Sequence, residues 1–217
     1  MQQHGSRPSR LTEPALTIAS DHFQTALRRR LRLPLALADQ RCGGGGNPGC
    51  GAVVDPYGDH RAACARSGLL ARRAPLLEQA WVRVCREGLG GEGRVVPQQW
   101  LARTTAPGVR EDDRRRLDLV VYGATRHGAA LCCDVTLVSP LRANGHPQPR
   151  TAREDGAALV TARRRKRDRY PELLRPGPQR LVVLACEIGG RWAAECCDLV
   201  RDLLRVRAPR APCAPPG

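Results

Sequence analysis

Two apolar runs joined by a short turn decide what this chain can fold into. In "RRRLDLVVYGATRHGAALCCDVTLVSP", segments 116–123 and 129–138 carry aliphatic and β-branched side chains in alternating or continuous order. "GATRHG" between them supplies turn residues, so the stretch reads as a β-hairpin. If the hairpin is symmetric about Arg126, opposed residues have position numbers with a constant sum. Asp118 then stands opposite Asp134, both side chains on one face and about 5 Å apart. Two like charges opposed within apolar strands are destabilising unless one is protonated or a cation lies between them. Mg²⁺ fits that place, because it takes one or two carboxylates and completes its shell with waters and phosphate oxygens. Thr136 follows on the same face as Asp134. The competing reading leaves Asp118 at a strand end, paired with one of Arg114, Arg115 or Arg116.

The remaining segments supply the layers that cover such a hairpin. Phe23, Leu27 and Leu31 recur every four residues, which predicts a short amphipathic helix closed by Pro34. A second helix is expected over roughly 74–87, ended by Gly88, and a further strand at 94–97. After a Pro/Gly/Asn-rich loop at 139–150 come a helix over 153–174, a buried-type strand "RLVVLACEI" at 180–188 and a last helix over 191–206. The order helix, three strands, helix, strand, helix predicts a mixed α/β sheet with helices on its faces. The expected organisation is an extension over 1–40, a Cys/His segment over 41–68, an α/β domain over 69–207 and a disordered tail over 208–217. Residues 1–15 are expected to be mobile.

The chain carries 36 Lys and Arg, and Lys166 in "RRRKRDRY" is the only lysine. In a helix, Leu159, Ala162, Lys166, Tyr170 and Leu173 fall on one stripe, with Arg164, Arg165, Arg167 and Asp168 opposite and Arg163 and Arg169 flanking. The lysine is thus aimed with the apolar face while the arginines meet solvent. A lysine can orient water or offset developing negative charge. It can also lie along apolar surface and send its ammonium out to water.

Against 36 cationic residues stand 21 acidic ones, a net charge of +15. This suits nucleic acid, DNA or RNA, although an arginine-rich composition of GC-rich coding origin gives the same balance. The N-terminus "MQQHGSRPSR" has no signal-peptide core and no apolar run reaches membrane-spanning length, so an intracellular protein without a membrane partner is expected. Its ten cysteines then read as ligands or small buried residues rather than disulfides. Cys132 and Cys133, adjacent in a strand, should point to opposite faces. "CGGGGNPGCGAVVDPYGDHRAAC" offers Cys42, Cys50, His60 and Cys64, three thiolates and an imidazole suited to a structural Zn²⁺. The His-x3-Cys half is tight, while the Cys42–Cys50 half is widened by a Gly-rich insertion. The alternative is two unliganded cysteines in a flexible loop.

These motifs together resemble the PD-(D/E)XK restriction-like nuclease superfamily, and most of all the endonuclease domain of site-specific non-LTR retrotransposons. That domain follows a reverse transcriptase and a Cys/His knuckle. The resemblance runs over roughly residues 20–205 and rests on "RLDLVV", "CDVTLVSP", "KRDRY", "FQTALRRRLRLPL" and "YGDHRAAC". It implies a restriction-endonuclease-like core with a preceding zinc knuckle. It also implies Mg²⁺ or Mn²⁺ held by Asp118, Asp134 and the Val135 carbonyl. Lys166 would be a migrated catalytic lysine, Thr136 standing where the strand motif usually carries it. Tyr170 would orient a backbone phosphate, and Glu78 would be the first-helix acid, with Glu87 an equal contender. Glu187 would be structural or stand behind the metal ligands. The implied activity is nicking of DNA to leave a 3′-hydroxyl for target-primed reverse transcription, nuclear if chromosomal DNA is the target. The polymerase would be encoded elsewhere and this chain would be a detached or truncated C-terminal piece. Leu117 stands where the family has proline, and "RRAPLLEQ" lacks the family's Arg-His pair. The alternative is a catalytically inactive remnant acting as a zinc-containing nucleic-acid-binding module.

Overall fold

The computed structural model describes residues 18–35, 41–43, 49–91, 93–125, 128–142, 144 and 146–208. The expectations for residues 1–15, for the Gly-rich insertion at 44–48, for Arg126 at the hairpin centre and for the tail beyond 208 lie outside these residues.

The hairpin forms as its sequence predicts. Strand β2 (Arg116–Tyr122) runs antiparallel to β3 (Ala130–Val138), pairing Leu119 with Cys133, Val120 with Cys132 and Val121 with Leu131. These pairs share the constant sum that sets Asp118 against Asp134. β1 (Arg94–Trp100) lies antiparallel on the free side of β2, and β4 (Gln179–Glu187) lies parallel on β3. The result is a four-stranded mixed sheet in the order β1-β2-β3-β4. A parallel pair needs a long crossover, and residues 139–178 provide it, with α4 (Ala157–Arg169) at its centre.

Alternating side chains feed two apolar layers. Leu119, Val121, Leu131, Cys133, Val182 and Leu184 pack with Trp81, Cys85 and Leu89 of α3 (Leu69–Leu89) and with Cys196, Leu199 and Leu203 of α5 (Ala194–Arg207). Val120, Cys132, Leu181 and Val183 pack with Leu159 of α4 and with Tyr170 and Leu173 beyond it. Cys132 and Cys133 therefore face opposite layers, and every described cysteine is free.

Helix boundaries differ from expectation for local reasons. α4 is shorter than the expected 153–174, because Pro171 disfavours helical geometry at Tyr170, which takes φ −126° and ψ 57°. Leu173 sits in a separate 3₁₀ turn, Pro171–Leu174, so the stripe is completed by a turn rather than by one long helix. α5 starts later than 191, because Trp192 bridges back to Cys186. α1 (Ser20–Arg30) leaves Phe23, Leu27 and Leu31 exposed and is tied down through arginines instead. Arg32 pairs with Asp59 of α2 (Asp59–Ala63) at 2.6 Å, and Arg30 donates to the Gly189 carbonyl at 3.0 Å.

α3 and α5 meet where Gly88 lies against Leu203: a Cβ at Gly88 would stand 2.8 Å from the Leu203 Cβ. Helix propensity favours alanine there by about 1 kcal/mol. Overpacking against a side-chain root that cannot rotate away costs about 1–3 kcal/mol. Gly88→Ala is therefore expected to be net destabilising by up to about 2 kcal/mol, read as a lower urea midpoint with unchanged slope. A variant at or above wild-type stability would show that the two helices part freely.

Candidate metal and phosphate sites

The paired strands part where the aspartates stand. The β2–β3 ladder runs to Leu119 and Cys133 and goes no further, although both strands continue. In place of a backbone partner, the Val135 N–H donates to Asp118 Oδ2 at 2.6 Å. The expected register therefore holds, but Asp118 leans into the fork between the strands instead of lying beside Asp134 as a simple ladder partner. In a strand, N–H and C=O of one residue point to the same neighbour. The Val135 carbonyl is thus directed to the β2 side, toward the fork.

Asp134 is 2 % exposed and pairs through Oδ1 with Lys166 Nζ. The Lys166 side chain is 22 % exposed, and residues 163–165 and 167–169 around it are exposed. Helical spacing thus separates the lysine from its neighbours as expected. Burial first, and the Asp134 charge second, push the Asp118 carboxyl up to about 6; Glu78 adds to the rise, while the Val135 N–H and Lys166 oppose it. The like-charge conflict read from the sequence is physically present.

The sign of that shift gives a test. A carboxyl raised in the folded state stabilises the fold in its neutral form, fully below about pH 4, and loses that contribution as pH rises through about 6. Asp118→Asn keeps an acceptor for the Val135 N–H and cannot ionise. In Mg²⁺-free buffer it should melt above wild type at pH 7.5, with the gap closing toward pH 4. A gap that does not change with pH would contradict the buried-charge account.

Glu78 and Glu87 both line one cleft with Asp118 but have different partners. Gln98 Nε2 donates to Glu78 Oε2 at 2.5 Å, and the Glu78 charge reaches Asp118, whereas Glu87 pairs with Arg83 at 3.5 Å on the exposed face of α3. A cleft of about 720 Å³ between α3 and the β1–β2 edge holds Glu78, Glu87, Gln98 and Asp118, with Arg83, Arg86 and Arg116 on its walls. Tyr170 is fully buried and donates its hydroxyl to the Arg116 carbonyl at 3.0 Å. Burial first, then the Asp134 charge, raise its phenol above the ordinary range. Glu187 is buried at the end of β4, 3.6 Å from Arg191, and burial raises its carboxyl; it takes no part in the fork.

Gln98 was not foreseen. Its signal was the proline before it in "VVPQQW", since proline within a strand marks an edge or an irregular position. A larger hollow of about 840 Å³ between α4, β4 and α5 is rich in arginine but does not include Asp118 or Asp134. Several of its arginines are held by acids: Arg163 by Glu195 at 3.1 Å, Arg201 by Asp198 at 2.7 Å and Arg205 by Asp202 at 2.8 Å.

Cys42, Cys50, His60 and Cys64 come together as a compact group, with donor atoms all within 4.8 Å of one another. Cys42 Sγ lies 3.8 Å from Cys64 Sγ, and Cys50 Sγ lies 3.2 Å from His60 Nε2. Thiolates on a tetrahedral zinc, each about 2.3 Å from the metal, sit about 3.8 Å apart. The cluster can therefore hold a metal ion such as zinc. A small hairpin carries the first two ligands: the Cys42 N–H donates to the Ala52 carbonyl and the Gly51 N–H to the Cys42 carbonyl. Gly49 packs so tightly on it that a Cβ would stand 2.4 Å from the Gly43 nitrogen. Asp55 orders the other half. Burial works against its charge, but the N–H groups of His60, Asp59 and Tyr57 outweigh it and hold the carboxyl below its ordinary range. The Cys50 N–H first, and His60 next, lower the Cys42 thiol to about 7. Among the described residues this is the only group of three or more such donors so closely gathered; Asp118, Asp134 and Glu78 are not preassembled in that way.

No family model and no curated protein matches this chain.

Proposed function

We propose that the chain is a metal-dependent DNA endonuclease domain of the PD-(D/E)XK type, akin to those of site-specific non-LTR retrotransposons. The observation that carries the proposal is the meeting of Lys166 with buried Asp134 beside an Asp118 whose carboxyl is raised by burial and, after it, by that same neighbour. Both aspartates would hold Mg²⁺ or Mn²⁺ together with the Val135 carbonyl, and Asp134 Oδ1, buried and already facing a positive charge on Lys166, suits a cation. When bound, such an ion polarises the scissile phosphate and lowers the pKa of water.

The chain's own residues do the rest. Arg83, Arg86 and Arg116 line the cleft through which a phosphodiester reaches Asp118. Lys166 orients the attacking water or offsets charge that develops on the phosphate. Exposed arginines of α4 track the DNA backbone, or an RNA one, in a salt-sensitive way. A 3′-hydroxyl left at the nick would serve a reverse transcriptase encoded elsewhere, in the nucleus where chromosomal DNA is the target. The metal-bound knuckle would position the nucleic acid.

One observation favours a second reading, a remnant that binds nucleic acid without cutting it. Lys166 closes directly on Asp134, so an entering cation must compete with an ammonium already in place. Incubation of the zinc-loaded chain with supercoiled plasmid and Mg²⁺ separates the two. Conversion to open circles supports the nuclease. Retained plasmid binding without any open circles supports the remnant.

A further inference from the structure

β1 pairs regularly with β2 except at one place. Pro97 faces Leu119 and Gln99 faces Leu117, so Gln98 stands opposite Asp118, yet it makes no ladder pair and takes φ +53°. A long side chain in left-handed backbone within a strand is uncommon and strained. The irregularity lies in the row of the sheet that also holds the aspartates, where Asp118 too leaves its ladder.

The strained backbone has a visible result. It sends the Gln98 side chain across to α3, where its amide donates to Glu78 at 2.5 Å, inside the cleft that Asp118 shares. A carboxylate that accepts a hydrogen bond on one oxygen keeps the other for a cation or for a cation-bound water. The type of partner matters. Arg83 and Arg86 line the same cleft, and a guanidinium on Glu78 would neutralise it. Arg83 is instead taken by Glu87, which leaves a neutral amide to orient Glu78 without cancelling its charge.

We propose that Gln98 is a positioning residue, fixing the Glu78 carboxylate toward the cation that Asp118 and Asp134 would hold. This rests on the nuclease reading for the existence of that cation. Glu78 then supplies a third acidic arm from a different element, and the irregular turn of β1 exists to aim it.

The test uses Mn²⁺ as probe, titrated calorimetrically into the full zinc-loaded chain so that the Cys/His cluster is already filled. Gln98→Asn tolerates left-handed backbone but is one methylene too short to reach Glu78. Gln98→Gly relaxes the backbone and removes the amide. Both are expected to weaken Mn²⁺ binding by about tenfold or more, the usual effect of losing a hydrogen bond to a metal-directed carboxylate. The Gly variant should melt no lower than wild type. Because Gln98 acts through Glu78, Gln98→Asn combined with Glu78→Gln should bind no more weakly than Glu78→Gln alone. Wild-type Mn²⁺ affinity in both Gln98 variants, or additive losses in the double variant, would overturn the proposal. If the parent chain binds Mn²⁺ but never nicks plasmid, the nuclease reading falls while these affinities still decide the role of Gln98. If it binds no Mn²⁺, both fall.

Discussion

Asp134→Asn is expected to lower plasmid nicking by at least about 10²–10³-fold while leaving the fold and the zinc content intact. The residue is 2 % exposed and stands at the fork, where its carboxylate meets Lys166. Asparagine keeps the volume and removes the charge. Lys166, left without its partner, is 22 % exposed and can still be hydrated, which keeps the stability cost small. Lys166→Met should separate from it. The apolar stem is retained, nicking is lost, and a buried carboxylate is stranded without a cation. Removing one partner of a buried ion pair costs about 3–5 kcal/mol, and partial exposure of the lysine places this variant at the low end. Mg²⁺ should then raise the melting temperature of Lys166→Met more than that of wild type, because the ammonium no longer competes for Asp134. Nicking at the wild-type rate in Asp134→Asn would remove the fork from the chemistry.

The legible part of this fold is the part governed by periodicity. The Leu119–Cys133 register follows from two apolar runs and a short turn, and the opposite facing of Cys132 and Cys133 follows from strand alternation alone. Lys166 was separable from its arginine neighbours because helical spacing distinguishes a face even inside a basic run. The departures arise where a tertiary partner overrides the local pattern. Asp118 leaves its ladder because its own carboxylate captures the Val135 N–H. The helix of Lys166 stops short of its expected end because Pro171 follows Tyr170, whose hydroxyl is held by the Arg116 carbonyl. The stripe of α1 reads as a core face, yet Phe23, Leu27 and Leu31 remain exposed. That helix is held by Arg29 and Arg32 on Asp59, a long-range pairing without periodic signal. Gln98 lies furthest from reach, since backbone strain leaves little trace in side-chain pattern beyond the neighbouring proline.

The second large effect concerns the Cys/His cluster. Zinc removal, or Cys64→Ser, is expected to unfold the segment around residues 41–64 while leaving the sheet folded. The apolar cluster there consists of Cys42, Val54 and Cys64 with Cys50 against it, so the would-be ligands are themselves most of the core. Too little surface is buried to order the chain without a metal, and structural zinc in small Cys/His folds contributes about 10–16 kcal/mol of apparent binding energy. The two layers on the sheet share none of these residues. α1 should follow the knuckle, because Asp59 anchors both Arg29 and Arg32 and lies beside His60 in α2. Hydrogen exchange checks this directly. With one zinc per chain, the His60 and Cys64 amides, donated to Asp55 and to the His60 carbonyl, are expected to be protected. After chelation they should exchange at unfolded rates, while amides of Leu119–Val121 and Val182–Ala185 stay protected. Unchanged protection at His60 and Cys64 in the metal-free protein would show that the cluster is an ordinary packed core. Loss of protection in the sheet as well would show that the knuckle and the sheet fold as one unit, with α2 and α3 transmitting the metal's contribution to the fork.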